Sequence, residues 1–254
     1  MIEWESLTLF LYILARMSGF VLFNPILGRK TLPNLFRSGM VLVLSVFVFS
    51  MTKQQVAMPA TIVELGLRLL LELALGLLVG IVMEFFFYIP QLAGLVVDTQ
   101  MAMTMNQIYD AGAQANLSTT SVLFNTLMTL LFFAANGHHT LLRILLTSGE
   151  VVQFGAVAFG NAVYSAALEI FIECTVLAVK LCLPILAAEL IGQLGMGILM
   201  KMIPQINVFS INIELKVIIG LLMLWMLIMP FSEFLLEVEK NMLHTISQIL
   251  AMAG

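Results

Sequence analysis

Long apolar runs dominate the hydrophobic pattern of this chain. Residues 40–49 and 218–229 are apolar at nearly every position, so no face of a helix built from them is polar. A membrane β-barrel strand would instead alternate apolar and polar residues over about 10 positions. Because backbone polar groups in lipid must pair within a helix or a closed barrel, the pattern predicts an all-α membrane protein.

Charged residues interrupt these runs. The uncharged stretch between Arg37 and Lys53 is shorter than the roughly 17 residues that a spanning helix needs. Because a charge at the bilayer centre costs from about 2.5 to over 10 kcal/mol, such residues must face protein or water. The four-residue spacing of Glu64, Arg68 and Glu72 stacks them on one helical face.

A second charged stripe consists of Glu169, Glu173 and Lys180. We interpret both stripes either as registry between helices of different subunits or as the lining of a wet lumen. Small residues recur at four-residue spacing in Ala15–Gly19, Gly76–Gly80 and Ala188–Gly192, a pattern that lets membrane helices approach closely.

Prolines and polar turns divide the chain into its expected parts. Asn24–Gly28 is typical of a turn, and Pro90, Pro184, Pro204 and Pro230 mark further breaks. We expect one membrane domain over residues 1–254. It contains two long, kinked antiparallel helical hairpins at about 64–104 and 166–203, and an amphipathic C-terminal tail over 232–254.

The most polar stretch inside the apolar body runs from Asp98 to Asn125, and we expect a long loop or a broken helix there. Non-helical backbone at membrane depth must be buried in protein or bathed in water, so this segment is a candidate pore lining or plug, with a plain solvent loop as an equal alternative. Candidate pore or plug residues are Asp98, Gln100, Met101, Met103, Met105, Asn106, Gln107, Ile108, Tyr109 and Asp110.

Three methionines precede that loop at alternate positions. Thioether side chains are flexible and fill irregular gaps, so Met101, Met103 and Met105 suit a seal that must close and reopen. The chain has 18 Met, and ordinary packing is therefore the alternative interpretation.

Composition and charge narrow the possible functions. The chain is 61% hydrophobic and 10% charged, against about 25% charged in soluble domains. A net charge of −4 provides no basic surface for nucleic acid. Cys174 and Cys182 lack metal-ligand spacing, and His138-His139 has no third ligand nearby. No serine lies in a G-x-S-x-G turn, so we predict no enzyme, cofactor or metal site.

A series of motifs in chain order resembles the FliR family. They are Arg16-Met-Ser-Gly19-Phe20, Asn24-Pro25-Ile-Leu-Gly28, Ala93-Gly94 with Asp98-Thr-Gln100-Met101, Asn136-Gly137-His138-His139, and Pro204-Gln205-Ile-Asn207-Val208-Phe209. FliR is a subunit of the flagellar export gate, and SpaR, YscT and HrcT are its counterparts in virulence type III secretion. Ala102 and Ala111 depart from the glycine and proline that many relatives carry at these positions.

The resemblance implies a subunit that joins FliP and FliQ copies in a helical, pore-containing complex. That complex, in the bacterial inner membrane at the flagellar basal body, lets unfolded flagellar proteins leave the cytoplasm. FlhB and, less directly, FlhA would be further partners, and subunit contacts would replace much of the lipid contact. The family's plug maps onto Asn106 to Ser118. The expected assembly contacts are Arg16, Pro25, Gly28, Glu64, Arg68, Glu72, Glu169, Glu173, Lys180, Pro204, Gln205 and Asn207.

Two other classes of function remain as alternatives. A secondary transporter or ion channel would use intramembrane carboxylates at paired broken helices, whereas this sequence has a single strongly polar break, centred on Asp110. A structural membrane anchor would tolerate changes throughout residues 101–110. Under the export hypothesis, Met101, Met103, Met105 and Ile108 help to close a narrow lumen, and Asp98, Asn106, Gln107 and Asp110 line the plug or tether it.

Overall fold

Helices make up nearly all of the described chain. The computed structural model describes residues 4–29, 32–52, 54, 56, 58–103, 107–110, 115–202 and 208–253. Within these ranges the elements are α1 (Trp4–Phe23), α2 (Asn34–Met51), α3 (Ile62–Gln100), β1 (Gln107–Asp110), β2 (Ala115–Ser118), α4 (Thr119–Ala134), α5 (Gly137–Val151), α6 (Asn161–Met202) and α7 (Val208–Met252).

The all-α membrane class is confirmed. Five helices, α1, α2, α3, α6 and α7, are long and apolar enough to cross a membrane. The number becomes six if the broken pair of α4 and α5 counts as one span. The strands β1 and β2 form a short antiparallel ribbon between α3 and α4.

The two segments that we expected to be hairpins are each a single helix. Pro90 lies inside α3 and Pro184 lies inside α6, and neither proline ends its helix. A proline removes one backbone hydrogen bond, whereas a chain reversal in apolar surroundings would leave several groups to be paired elsewhere. Continuing the helix through the proline is therefore the less costly solution.

The described chain divides into two compact units. The first unit comprises Met1–Phe86, Asn136–Phe171 and Lys240–Gly254, and the second comprises Phe87–Ala135 and Ile172–Glu239. α3, α6 and α7 contribute residues to both units. The tail from residue 232 onward is the last part of α7 and not a separate helix.

In the first unit, α1 and α3 are in backbone contact through glycines. A Cβ atom on Gly76 would lie 2.0 Å from the carbonyl oxygen of Arg16, and one on Gly19 would lie 2.3 Å from that of Leu73. Only glycine fits at such distances, so the small-residue spacing correctly predicted close helix packing here. Buried side chains around the contact are Tyr12, Ile13, Met17 and Phe20 of α1 and Leu75, Val79, Val82 and Met83 of α3.

The turn that follows α1 is built around buried Asn24. Its side-chain oxygen accepts hydrogen bonds from the N–H groups of Ile26 at 2.8 Å and Leu27 at 2.9 Å. The Gly28 N–H donates to the Asn24 carbonyl at 2.8 Å, and a Cβ on Gly28 would lie 2.6 Å from that same oxygen. Pro25 and Gly28 are thus parts of a tight turn within the subunit.

The second unit has an aromatic core shared by α3, α4 and α7. The rings of Phe124 and Phe231 meet edge to face with centroids 5.3 Å apart, and those of Phe87 and Phe132 are 6.3 Å apart. Such pairs contribute about 0.5–1.5 kcal/mol beyond the burial of their area. They hold α4 against α3 and against α7 in this unit.

We expect Gly76→Ala to destabilise the subunit by about 1–3 kcal/mol, because its Cβ would collide with backbone that cannot rotate away. The measurement is the thermal unfolding midpoint of the purified protein. Gly66→Ala is the matched control, since Gly66 is exposed on the same helix with no atom within 4 Å of its Cβ position. Equal midpoints for the two variants would contradict the packing assignment.

Candidate functional site

The polar hairpin of the second unit starts and ends beside one buried carboxylate, Asp98. This residue lies near the end of α3 and is 1% exposed. Its Oδ2 accepts a hydrogen bond from the Thr120 backbone N–H at 3.0 Å, and its Oδ1 accepts one from the Thr120 hydroxyl. Because a helix N-terminus carries unpaired N–H groups and a partial positive charge, Asp98 stabilises the start of α4.

α3 ends in a left-handed turn at Ala102, whose φ is 58°. The Met103 N–H donates to the Asp98 carbonyl at 2.9 Å and the Ala102 N–H donates to the Thr99 carbonyl at 3.3 Å. This hydrogen-bond pattern commonly ends helices at a glycine, and a residue with a Cβ in this conformation costs about 1–2 kcal/mol. The geometry therefore gives a physical reason for the glycine that the resemblance places at position 102.

Met101 is fixed in the core of the second unit. It is 0% exposed, and a Cβ on Gly220 of α7 would lie 2.5 Å from its Cγ and 2.6 Å from its sulfur. The Met101 side chain thus packs directly against Gly220, where any larger residue on α7 would collide with it. For Met101 to line a lumen, it would have to leave Gly220.

The first turn of α4 is held against α3 by serines and a glycine. The Ser118 hydroxyl oxygen accepts a hydrogen bond from the Ser121 N–H at 3.3 Å, and the Ser121 hydroxyl donates to the Gln91 carbonyl at 2.6 Å. A Cβ on Gly94 would lie 2.3 Å from the Ser121 nitrogen. Both ends of the hairpin are therefore attached to α3.

Between these attachments the chain forms the ribbon of β1 and β2. Gln107 pairs with Ser118, Ile108 with Leu117, Tyr109 with Asn116 and Asp110 with Ala115. The expectation of a loop or a broken helix missed this strand pairing. The β-branched and aromatic neighbours Ile108 and Tyr109 belong to the residue types enriched in strands and could have indicated it. Met105 and Asn106 lie outside the described residues.

The first unit contains a buried ion pair between Arg16 of α1 and Glu72 of α3. Arg16 Nε lies 2.6 Å from Glu72 Oε2, and the side chains are 2% and 0% exposed. Arg16 Nη1 also donates to the carbonyl oxygens of Ser148 and Val152, each at 3.1 Å. The Gly155 N–H donates to Glu72 Oε1 at 2.6 Å. These bonds supply the compensation that a buried pair needs.

An aromatic ring completes the surroundings of Arg16. The guanidinium carbon lies 4.2 Å from the centre of the Phe154 ring, within the range of a cation–π contact. Sequence reasoning missed Phe154, Ser148, Val152 and Gly155 as partners. Three of them use backbone atoms, which any residue provides, so the sequence contained no signal for them.

The residues of the first charged stripe, Glu64, Arg68 and Glu72, take part in two separate ion pairs. Glu64 and Arg68 form a partly exposed pair at 2.6 Å, whereas Glu72 is turned inward to Arg16. Arg16 and Glu72 therefore lie inside the subunit and not on a surface that another subunit could contact. On α6, Glu169, Glu173 and Lys180 are exposed. Gln100 is half-buried, and Pro204, Gln205 and Asn207 lie outside the described residues.

Comparisons with known proteins agree along the whole chain. The sequence model of a family described as bacterial export proteins, family 1, matches residues 7–242. Flagellar biosynthetic protein FliR of Bacillus subtilis is 24% identical over 96% of this chain and 95% of its own length. FliR of Escherichia coli is 25% identical over the same shares. Yop proteins translocation protein T of Yersinia pestis is 27% identical over 88% of this chain and 87% of its own length.

Arg16→Met should destabilise the first unit by about 3–5 kcal/mol, because it leaves Glu72 buried without a counter-ion. The thermal midpoint and the amount of protein in membranes measure the loss. Arg68→Met is the matched control, since it removes a partly exposed pair worth at most about 1 kcal/mol. The double variant Arg16→Met/Glu72→Met should regain much of the loss. A failure of the double variant to regain stability would contradict the assignment.

Asp98→Ala should loosen the start of α4 by roughly 1–2 kcal/mol, the usual cost of a lost cap. The expected result is about tenfold faster amide hydrogen exchange at Thr120 and Ser121, measured by mass spectrometry. Thr99→Ala is the control, because the exposed Thr99 hydroxyl donates, within the described chain, to the Leu95 carbonyl of its own helix and not to α4. Equal exchange in the two variants would show that Asp98 does not hold α4.

Proposed function

This chain belongs to family 1 of the bacterial export proteins, and from this premise we propose that it is a core subunit of the flagellar type III secretion export gate. It is a membrane-embedded component of an export apparatus. In the proposed role it forms, together with FliP and FliQ, the channel through which unfolded flagellar proteins cross the bacterial inner membrane. No chemical step on the exported protein is part of this role.

The observation that carries the proposal is the hairpin of β1 and β2, attached at both ends to helix termini. Its base is held by Asp98 and by the turn at Ala102. A polar, non-helical segment in an apolar body requires either protein or water around it. A hairpin with a fixed base can leave a channel and return to it, as a plug must.

Roles follow for the residues of this segment. Asp98 tethers the plug to α4, and Met101 and Met103 connect its base to α3. Gln107, Ile108, Tyr109 and Asp110 on β1 are proposed to lie in the closed channel, together with Met105 and Asn106. Substrate entering the channel displaces the hairpin, and the attached base brings it back.

The exposed face of α6 supports contact with other subunits. Glu173 and Lys180 are exposed on a helix whose exposed neighbours, such as Ile172 at 61%, are apolar. Charged side chains on an otherwise apolar helix are costly when they face lipid. They are favourable when they face a partner subunit that carries the opposite charges. We assign this face to FliP and FliQ, with Glu169 and the Glu64–Arg68 pair as further contacts and FlhB and FlhA as additional partners.

A transporter with coupling-ion sites is the less supported alternative. Such proteins use symmetry-related pairs of discontinuous helices, whereas the described residues contain one broken pair, α4 and α5, and Pro90 and Pro184 leave α3 and α6 continuous. The carboxylate of Glu72 is already bonded to Arg16 and Gly155, so it is not free to bind a coupling ion.

The deciding experiment is co-expression of this chain with candidate FliP and FliQ, followed by purification through a tag on this chain and native mass spectrometry. We expect one copy of this chain with several copies of both partners. A stable monomer or homodimer free of partners would contradict the gate proposal and favour the transporter alternative.

Replacing residues 107–117 with a Gly/Ser linker of equal length should raise ion leakage in resting cells without preventing assembly. The design keeps Asp98 and Ser118, because deleting Ser118 would also remove the cap of α4. Leakage is measured by the growth and potassium retention of cells that express the complex. Thr99→Ala again serves as the control, and leakage equal to that control would contradict the plug.

A further inference from the structure

A buried carboxylate without a partner lies on α6 in the second unit. Glu189 is 0% exposed, and neither of its carboxylate oxygens accepts a hydrogen bond from any residue that the structure describes. The same buried face of α6 is otherwise apolar, with Cys182, Ile185 and Met196. On this face, the turns of α6 before and after Glu189 thus carry apolar side chains.

Two groups on α7 face this carboxyl. The ammonium of Lys216 acts on it electrostatically, and the Gly220 backbone lies beside it without reaching hydrogen-bond geometry. Lys216 is half-buried and makes no salt bridge to Glu189 in the described part of the chain. Because Lys216 and Gly220 are one turn apart, they lie on the same face of α7.

Gly220 is also the residue that Met101 covers. Side chains from α6 and from the end of α3 therefore converge on one glycine of α7. Nearby, a Cβ on Gly192 of α6 would lie 2.6 Å from Ile219 Cδ1, so α6 and α7 are closely packed at this level. This packing leaves Glu189 without access to solvent.

The charge state of Glu189 follows from this environment. An ionised carboxylate buried without a counter-ion is strongly disfavoured, and such a group becomes neutral instead. A neutral carboxylic acid in the same place loses only its hydrogen bonds to water. The packed arrangement of α6 against α7 therefore favours the protonated form.

We propose that Glu189 is a proton-binding site, neutral while α6 and α7 are packed at Gly220. When this packing opens and admits water, the proton passes to water and Lys216 becomes the counter-ion of the carboxylate. This site goes beyond the export role and does not depend on it.

The test is infrared difference spectroscopy of the purified full chain with its co-purifying partners, near neutral pH. The wild type should show the C=O stretch of a protonated carboxylic acid, and Glu189→Gln should lack that intensity. Glu214→Gln is the matched control, because Glu214 is exposed on α7 and its removal should reduce only carboxylate bands. If Glu189→Gln instead removes carboxylate bands, Glu189 is ionised and the proposal is overturned.

Lys216→Met tests the counter-ion. Without the ammonium, ionised Glu189 has no partner, so the pH at which half of the acid band disappears should rise by about one unit, a tenfold change in proton affinity. An unchanged half-loss pH would overturn the role of Lys216. If Glu189→Gln does not fold, labelling all glutamates of the wild type with ¹³C moves the C=O stretch of a protonated glutamate, and a spectrum without such a shift overturns the proposal directly.

Discussion

A charge inside an apolar helix must find a partner within the protein, and the pair of Arg16 and Glu72 shows how strongly this requirement shapes the fold. The pair joins α1 to α3, and its remaining hydrogen-bonding groups take in the carbonyls of Ser148 and Val152 and the N–H of Gly155. Breaking such a buried pair costs about 3–5 kcal/mol, a large fraction of the stability of most proteins. The glycine contact of α1 and α3 lies directly beside it.

In the second unit, a buried charge is stabilised in a different way. Among the described residues, the carboxylate of Asp98 accepts hydrogen bonds from Thr120 and from no basic side chain, and the N–H groups at the start of α4 take that place. Its main-chain carbonyl meanwhile accepts the bond that ends α3. One residue thus ends one helix and starts the next, and the polar hairpin between them acquires a fixed base. Glu189 has neither kind of partner among the described residues, and in the proposed site a proton neutralises it instead.

Family membership and these local solutions fit together. A hairpin attached at its base is suited to the proposed gate role, since such a hairpin could move without separating the helices that hold it. Exposed charges on α6 beside apolar neighbours would be costly in lipid and are consistent with burial by other subunits. The relatives include flagellar proteins and a protein named for the translocation of Yop proteins.

The sequence by itself determined the fold class, the close approach of helices at Gly19 and Gly76, and the position of the polar segment. These properties follow from local composition and spacing, which do not depend on the remote parts of the chain. The family resemblance likewise rested on motifs in order. The expectation of two hairpins was not met, because the energy that keeps a helix intact through Pro90 and Pro184 comes from its surroundings and not from the proline itself.

Only the tertiary structure decided which charges pair. Glu64, Arg68 and Glu72 look equivalent along the sequence, yet Glu72 belongs to Arg16, a residue 56 positions away. The backbone partners of that pair have no signature in side-chain identity, and the burial of Glu189 depends on the packing of α7 against α6. Contacts between residues that are far apart in sequence select such partners. The order of residue types along the chain does not show which of these contacts form.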